Sequence, residues 1–247
     1  MQIPKQYSVT ALLLLSVLLS ACAHGPVAKT PMDTLSFQQG TTGNKTLIVF
    51  LPGARDRPQA FANHQFVAAV RKRKPGVDML AAHAHLGYLR QRTLVRRLKQ
   101  DVIEPAKQRG YRHIWLIGNS LGGLSALLYS RKYPNDIDGV YLLGPFLGSP
   151  KIIREIEQAG GLSLWQPGPV AKQQRSRILW SWLKRYRPHR DKPRIYLGFG
   201  RQDRFANGHR LLAAVLPREN VFRAPGKHRW AVWIKLWRKF LDKGIIQ

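Results

Sequence analysis

From Thr46 to the C-terminus, short apolar runs alternate with amphipathic stretches, and this rhythm restricts the chain to one broad architecture. Thr46–Leu51, Val77–Ala82, 112–117, Gly139–Leu143, Arg194–Phe199 and Asn220–Arg223 have the length and composition of strands. A strand that is apolar at successive positions is buried on both faces, as in a parallel sheet covered by helices. The stretches between supply those helices. Gln59–Arg73 turns Phe61, Phe66, Val67 and Val70 toward a core, and a basic helix from about Leu89 spaces Leu94, Val95, Leu98, Val102 and Ile103 helically until Pro105 kinks or ends it. Helices over 121–132, Asn207–Val215 and Trp230–Leu241 follow, the last with Trp230, Trp233, Trp237 and Phe240 as a core-facing stripe. The expected fold class is α/β, a mostly parallel central sheet with helices on both faces. At 247 residues the chain fits one such domain.

One segment interrupts the rhythm. Residues 149–192 hold two helical stretches, Lys151–Gln158 and Arg175–Tyr186, joined by a turn through Gly160-Gly161 and Gln166-Pro167-Gly168-Pro169. Ile178, Leu179, Trp182, Leu183 and Tyr186 share a helical face ringed by arginine and lysine. Such a helix can pack on the core, roof a pocket as a cap, or lie in a membrane interface.

Gly118-Asn119-Ser120-Leu121-Gly122 stands where the strand-like Ile114–Ile117 gives way to a helical run. A serine hydroxyl becomes a useful nucleophile when it is exposed beside a base, and a sharp strand-to-helix turn provides the exposure. Glycines at 118 and 122 suit a turn whose neighbours pass too close for a Cβ. A glycine-rich turn with an ordinary surface serine is the plainer alternative.

Charge bears on partners. Lys and Arg number 41 against 13 acids, a formal net charge of +28. That excess attracts anionic partners without specifying a fold. The N-terminus turns the choice away from nucleic acid. Lys5 followed by the apolar run Val9–Leu19 reads as an export signal, too short to span a bilayer. Leu19-Ser20-Ala21-Cys22 resembles a bacterial lipobox, in which the cysteine thiol takes a diacylglycerol; Ala21-Cys22-Ala23 also fits a simple A-x-A cleavage site. Cys22 is the only cysteine, so it forms no internal disulfide, and lipidation accounts for it. More than one acyl chain suffices for stable anchoring. Ala23 in place of an acidic residue resembles the outer-membrane sorting signal of Gram-negative cells. Cleavage before Cys22 removes only Lys5 and leaves +27 to face lipid headgroups or lipopolysaccharide. The expected organisation is a signal peptide over 1–21, a tether over 22–42 and a catalytic domain over 43–247, with a cap-like insertion at 149–192.

Taken together, the strand order and the Ser120 pentapeptide resemble the α/β-hydrolase family over nearly all of residues 43–247. In that family the nucleophile follows the fifth strand, an acid the seventh and a histidine the eighth. The resemblance implies Asp203, in Gly200-Arg201-Gln202-Asp203-Arg204, as the acid, although an aspartate there also suits a helix N-terminus. It implies His228, in Ala224-Pro225-Gly226-Lys227-His228, as the base; His83 and His85 could line the pocket but precede the serine. The oxyanion donors it implies are the amides of Leu121 and of Ala54, with Gly53 second, in Leu51-Pro52-Gly53-Ala54-Arg55-Asp56; proline stands where many members have histidine. The activity implied is a serine hydrolase cleaving a carboxylic ester, with an apolar acyl group, of a small molecule or lipid.

No His-Glu-x-x-His, thiolate cluster or nucleotide fingerprint occurs, so neither a metal nor a cofactor is expected. A rival reading keeps the scaffold and drops the chemistry: an envelope lipoprotein that binds anionic lipid or lipopolysaccharide through its basic surface.

Overall fold

The computed structural model describes residues 26–37, 43, 45–171 and 174–246. Its sheet has seven strands: β1 (Thr34–Ser36), β2 (Thr46–Leu51), β3 (Asp78–Ala82), β4 (His113–Asn119), β5 (Gly139–Leu143), β6 (Arg194–Gly200) and β7 (Val221–Ala224). Their order is β1-β3-β2-β4-β5-β6-β7, and only the edge strand β1 runs antiparallel. The expected α/β class is the observed one. The sheet places the nucleophile turn after its fourth strand, the acid loop after its sixth and the histidine loop after its seventh.

Alternation along the strands divides the core in two. Leu47, Val49 and Leu51 of β2 point to one face, while Ile48 and Phe50 point to the other. The first face is covered by α3 (Leu86–Arg90), α4 (Leu94–Leu98), α6 (Leu121–Lys132), α7 (Pro150–Gln158), α8 (Arg175–Arg185) and α9 (Ala206–Ala213). The second carries α1 (Ala60–Asn63), α2 (Phe66–Arg73) and α10 (Trp230–Asp242). A short α5 (Glu104–Gln108) closes the connection into β4. On the second face Trp237 and Phe240 are fully buried, and Phe240 stacks on Tyr141 at 4.2 Å.

Two expected helices are broken, for identifiable reasons. Gln59–Arg73 divides at Gln65, whose φ of 65° is left-handed. Phe61 and Phe66 would lie about 140° apart on one straight helix; the break lets both bury against Phe50, at 4.6 and 6.2 Å. The long basic helix begins earlier than expected, at Leu86, and is interrupted at Arg92, with φ 59°. Pro105 does not end it. A π-helical turn over Lys99–Ile103 precedes the proline, widening the helix where the pyrrolidine ring would press on a carbonyl.

The region expected as a tether is bound to the body in its described part. Residues 34–36 pair with β3, Met32 is buried, and its amide donates to Asp101 Oδ2 at 2.8 Å. The stretch therefore contributes a strand of its own, Thr34–Ser36. Cys22 and the expected signal peptide lie outside the described residues.

The insertion packs on the core. Trp180, which the expected apolar face of α8 omitted, is fully buried and donates its indole N–H to the Leu147 carbonyl at 2.8 Å. Ile152 and Ile156 of α7 join the same core.

Candidate active site

Ser120 has φ 51° and ψ −113°, a conformation that a residue with a side chain adopts only under constraint. The constraint comes from both sides. Its amide donates to the Leu143 carbonyl at 3.0 Å, and its carbonyl accepts from the Phe146 amide at 2.9 Å. The flanking glycines admit close neighbours. A Cβ at Gly122 would lie 1.8 Å from the Leu51 carbonyl oxygen, and one at Gly118 would lie 2.3 Å from the Gly122 oxygen. The end of β2 therefore presses directly on the start of α6, bringing the loop after β2 beside the serine.

Three side chains from distant parts of the chain meet there. His228 Nε2 stands 3.0 Å from Ser120 Oγ, and His228 Nδ1 stands 2.8 Å from Asp203 Oδ2. A carboxylate only accepts hydrogen bonds, so Nδ1–H donates to Asp203 and Nε2 is left to accept the serine hydroxyl proton. The Asp203 side chain is fully buried and that of His228 nearly so. Asp203 Oδ1 accepts from the Phe205 amide at 2.9 Å, so one carboxylate shapes its own turn and orients the imidazole. Asp203 is not the helix N-cap that its position also suggested: α9 begins at Ala206, with Phe205 as its N-cap and no side-chain capping bond.

Several supporting residues were not singled out in the sequence. Gln202 ties the acid loop to the histidine loop: its amide donates to the Gly226 carbonyl at 3.1 Å, and its Oε1 accepts the Gly226 amide. Asp56 joins three segments, accepting from Asn119 Nδ2 at 3.1 Å and from Trp230 Nε1 at 3.3 Å while sitting at the end of the loop after β2. Such links depend on which loops the fold brings together, which local spacing does not encode. Gly53 passes close to the nucleophile, a Cβ there lying 3.6 Å from Ser120 Cβ. Ala54 follows and is exposed. Leu121 is the first residue of α6, where an amide has no helical partner four residues back.

His209, within α9, is fully buried. Its Nε2 donates to the Pro145 carbonyl at 2.9 Å, bracing the segment that holds Ser120 from below. Burial pushes its pKa from 6.5 down to about 4. The unfolded chain therefore binds the extra proton first as pH falls. Stability from this group is complete above about pH 6.5 and is lost progressively toward pH 4, by up to about 3 kcal/mol. Denaturant midpoints between pH 4 and 7.5 should show this slope, and His209→Gln, which keeps a donor toward Pro145, should flatten it.

His83 and His85 follow the end of β3, and burial lowers the pKa of both. His85 Nδ1 accepts the Gly87 amide and so caps α3. Neither lines the cavity beside the catalytic histidine candidate.

That cavity holds about 270 Å³ and lies between α7 and the start of α9. Phe205 connects it to the site: its ring forms one wall and packs edge-on against His228, centroids 5.1 Å apart. Phe146, hydrogen-bonded through its amide to Ser120, contacts Phe205 at 5.4 Å, and Leu147 continues the wall. Ile153 and Gly208 also line it, as do the charged Arg154, Glu157 and Arg204.

Comparison with known proteins agrees with this architecture. The family model described as serine aminopeptidase, S33, matches residues 90–225, more than half of the chain. Among solved structures the chain is similar to Est1E from Butyrivibrio proteoclasticus, with 19% identity, TM-score 0.56, and coverage of 87% of this chain and 93% of that one. It is also similar to a monoacylglycerol lipase from Paleococcus ferrophilus, with 16% identity, TM-score 0.55, and coverage of 86% and 97%. A fluorophosphonate-binding serine hydrolase of Staphylococcus aureus shares 12% identity and TM-score 0.53, with coverage of 86% and 98%. No curated protein matches the chain significantly.

Proposed function

The chain belongs to the serine aminopeptidase S33 family and is an α/β-hydrolase, and from that premise we propose that it is a membrane-anchored serine esterase acting on an apolar acyl ester. The observation that carries this reading is the continuous Ser120–His228–Asp203 hydrogen-bond chain, set on a strained turn beside an apolar cavity.

In this mechanism His228 Nε2 takes the Ser120 proton as Oγ attacks the ester carbonyl. Asp203 stabilises the imidazolium and holds its tautomer. The oxyanion is met by the amides of Leu121 and Ala54, which are fixed before the substrate arrives. His228 then protonates the departing alcohol, leaving an acyl group on Ser120. Water, deprotonated by the same imidazole, releases the acid and restores the serine.

The cavity supports an acyl group over an N-terminal peptide. Leu147, Pro150, Ile153 and Phe205 give it a mainly apolar lining, and its charged residues, Arg154 and Arg204 against the single carboxylate Glu157, leave a positive balance that disfavours a cationic α-amino group. Its volume is close to the lower end of ordinary small-ligand sites, roughly 300 Å³. Purified mature protein should hydrolyse p-nitrophenyl esters. Equal rates with Ser120→Ala would remove the catalytic reading.

Gly208 offers a finer test of the acyl pocket. A glycine inside a helix costs about 1 kcal/mol relative to alanine, yet no backbone atom bars a side chain here. A Cβ would meet only Ile153 Cδ1 at 3.1 Å and Leu147 side-chain atoms at 3.7 Å. What the glycine supplies is room. Gly208→Leu should leave acetate hydrolysis within about threefold while lowering kcat/KM for octanoate by roughly tenfold or more, the order of 1–3 kcal/mol for a filled apolar pocket. Unchanged chain-length preference would place the acyl group elsewhere.

A further inference from the structure

A second concave surface lies well away from the candidate triad, on the helical layer formed by α3, α4, α6 and α8. It is a groove of about 270 Å³ in which Arg92, Arg131, Lys132 and Arg175 surround an apolar floor that includes Leu128 and Ile178. No carboxylate lines it. Four cations over an apolar floor match one ligand chemistry, an anionic headgroup attached to acyl chains.

The N-terminal segment directs this groove toward a surface of that chemistry. Pro26 is seated on Gly87: its carbonyl oxygen would lie 2.0 Å from a Cβ there. Three residues on, Lys29 is fastened to Tyr88, its amide donating to the phenol at 3.1 Å and its carbonyl accepting the phenol proton at 3.0 Å. Leu89, the next residue, lines the groove. Pro26 is the fourth residue after Cys22, and such a span reaches at most about 14 Å. An acylated Cys22 therefore keeps the bilayer surface close to Pro26, which is packed on Gly87. Val27, beside Pro26, is a large apolar side chain left 71% exposed.

We propose that the groove is a docking site for the anionic headgroups of membrane phospholipid, pressed against the bilayer by the short link to Cys22. The proposal rests on acylation of Cys22 for its orientation but not on ester hydrolysis. The apolar floor takes the upper part of the acyl chains, and the cations meet the phosphates. Arg175 is already aimed, its Nη1 donating to the Leu89 carbonyl at 2.9 Å. The body is thus seated on one side rather than swinging on a free tether.

The test must separate this groove from a charge of +27 spread over the whole surface. Mature chain carrying Cys22→Ser, so that no anchor contributes, is floated with vesicles of phosphatidylglycerol and phosphatidylcholine and with vesicles of phosphatidylcholine alone. Arg92→Gln, Arg131→Gln, Lys132→Gln and Arg175→Gln together are compared with a matched set on the opposite face, Lys72→Gln, Lys235→Gln, Lys239→Gln and Lys243→Gln. Each cation at an anionic surface contributes roughly fivefold to partitioning. The groove set should lose roughly a hundredfold or more in binding to the anionic vesicles, and the control set less than tenfold. Thermal melting of both sets checks folding. If the fourfold groove variant fails to fold, Arg92→Gln with Arg131→Gln should still lose about tenfold. Equal losses in the two sets, or equal wild-type binding to both kinds of vesicle, would overturn the proposal. Binding is read without turnover, so an inactive Ser120 would leave this result intact.

Discussion

Ser120→Ala is expected to lower kcat for an activated ester by about 10⁴- to 10⁶-fold while the protein stays folded. The loss is large because the attacking atom itself is removed; what survives comes from binding and the oxyanion amides. Folding is spared because alanine keeps the Cβ, and the turn is held by backbone bonds to Leu143 and Phe146 that do not involve the hydroxyl. The φ of 51° remains a strained value for alanine. Ser120→Gly should lose activity equally but raise stability by about 1 kcal/mol, because glycine adopts that backbone freely. Urea midpoints of the two variants against wild type measure this. A glycine variant no more stable than wild type would contradict the strain, and one with intact activity would contradict the nucleophile.

Gly122→Ala is expected to be the most damaging single methyl in the chain. The added carbon would sit 1.8 Å from the Leu51 carbonyl oxygen and 2.5 Å from its carbon. Both are backbone atoms of a fully buried strand, so no flexible side chain can turn aside. Either α6 must move off the sheet, or the end of β2 must bend. Overpacking costs about 1–3 kcal/mol where the surroundings can relax, and more where they cannot. A loss of about 3 kcal/mol or greater is expected, with activity falling as the loop after β2 leaves the serine. Gly110→Ala is the fitting control, since nothing lies within 4 Å of a Cβ there and only its φ of 90° opposes the change. Thermal melts of the two variants should differ widely.

The sheet was legible because each central strand is apolar along its length, and burial on both faces follows from that. Ser120, Asp203 and His228 could be named because each stands just beyond a strand in a loop of recognisable composition. Where the sequence misled, a tertiary demand overrode a local pattern. Gln65 breaks a helix so that Phe61 and Phe66 can both reach Phe50. The widened turn over Lys99–Ile103 lets Pro105 stand inside a helical stretch. Residues 26–37 lack periodicity, yet Met32 is buried and Thr34–Ser36 completes the sheet edge, because β3 offered an unpaired edge. Asp56, Gln202 and His209 were illegible for another reason. Each bonds to a residue distant in sequence, Asn119, Gly226 and Pro145 respectively, and only the folded chain brings those segments together.

The central claim is that one imidazole activates one serine. Treating the mature protein with a fluorophosphonate and mapping the adduct by mass spectrometry addresses that claim without requiring knowledge of the natural ester. A single phosphonyl adduct on Ser120 is predicted, absent in Ser120→Ala and formed at least a hundredfold more slowly in His228→Ala, in keeping with the ~10²–10⁴-fold contribution of a positioned base. An unmodified Ser120, or labelling at the same rate without His228, would contradict it.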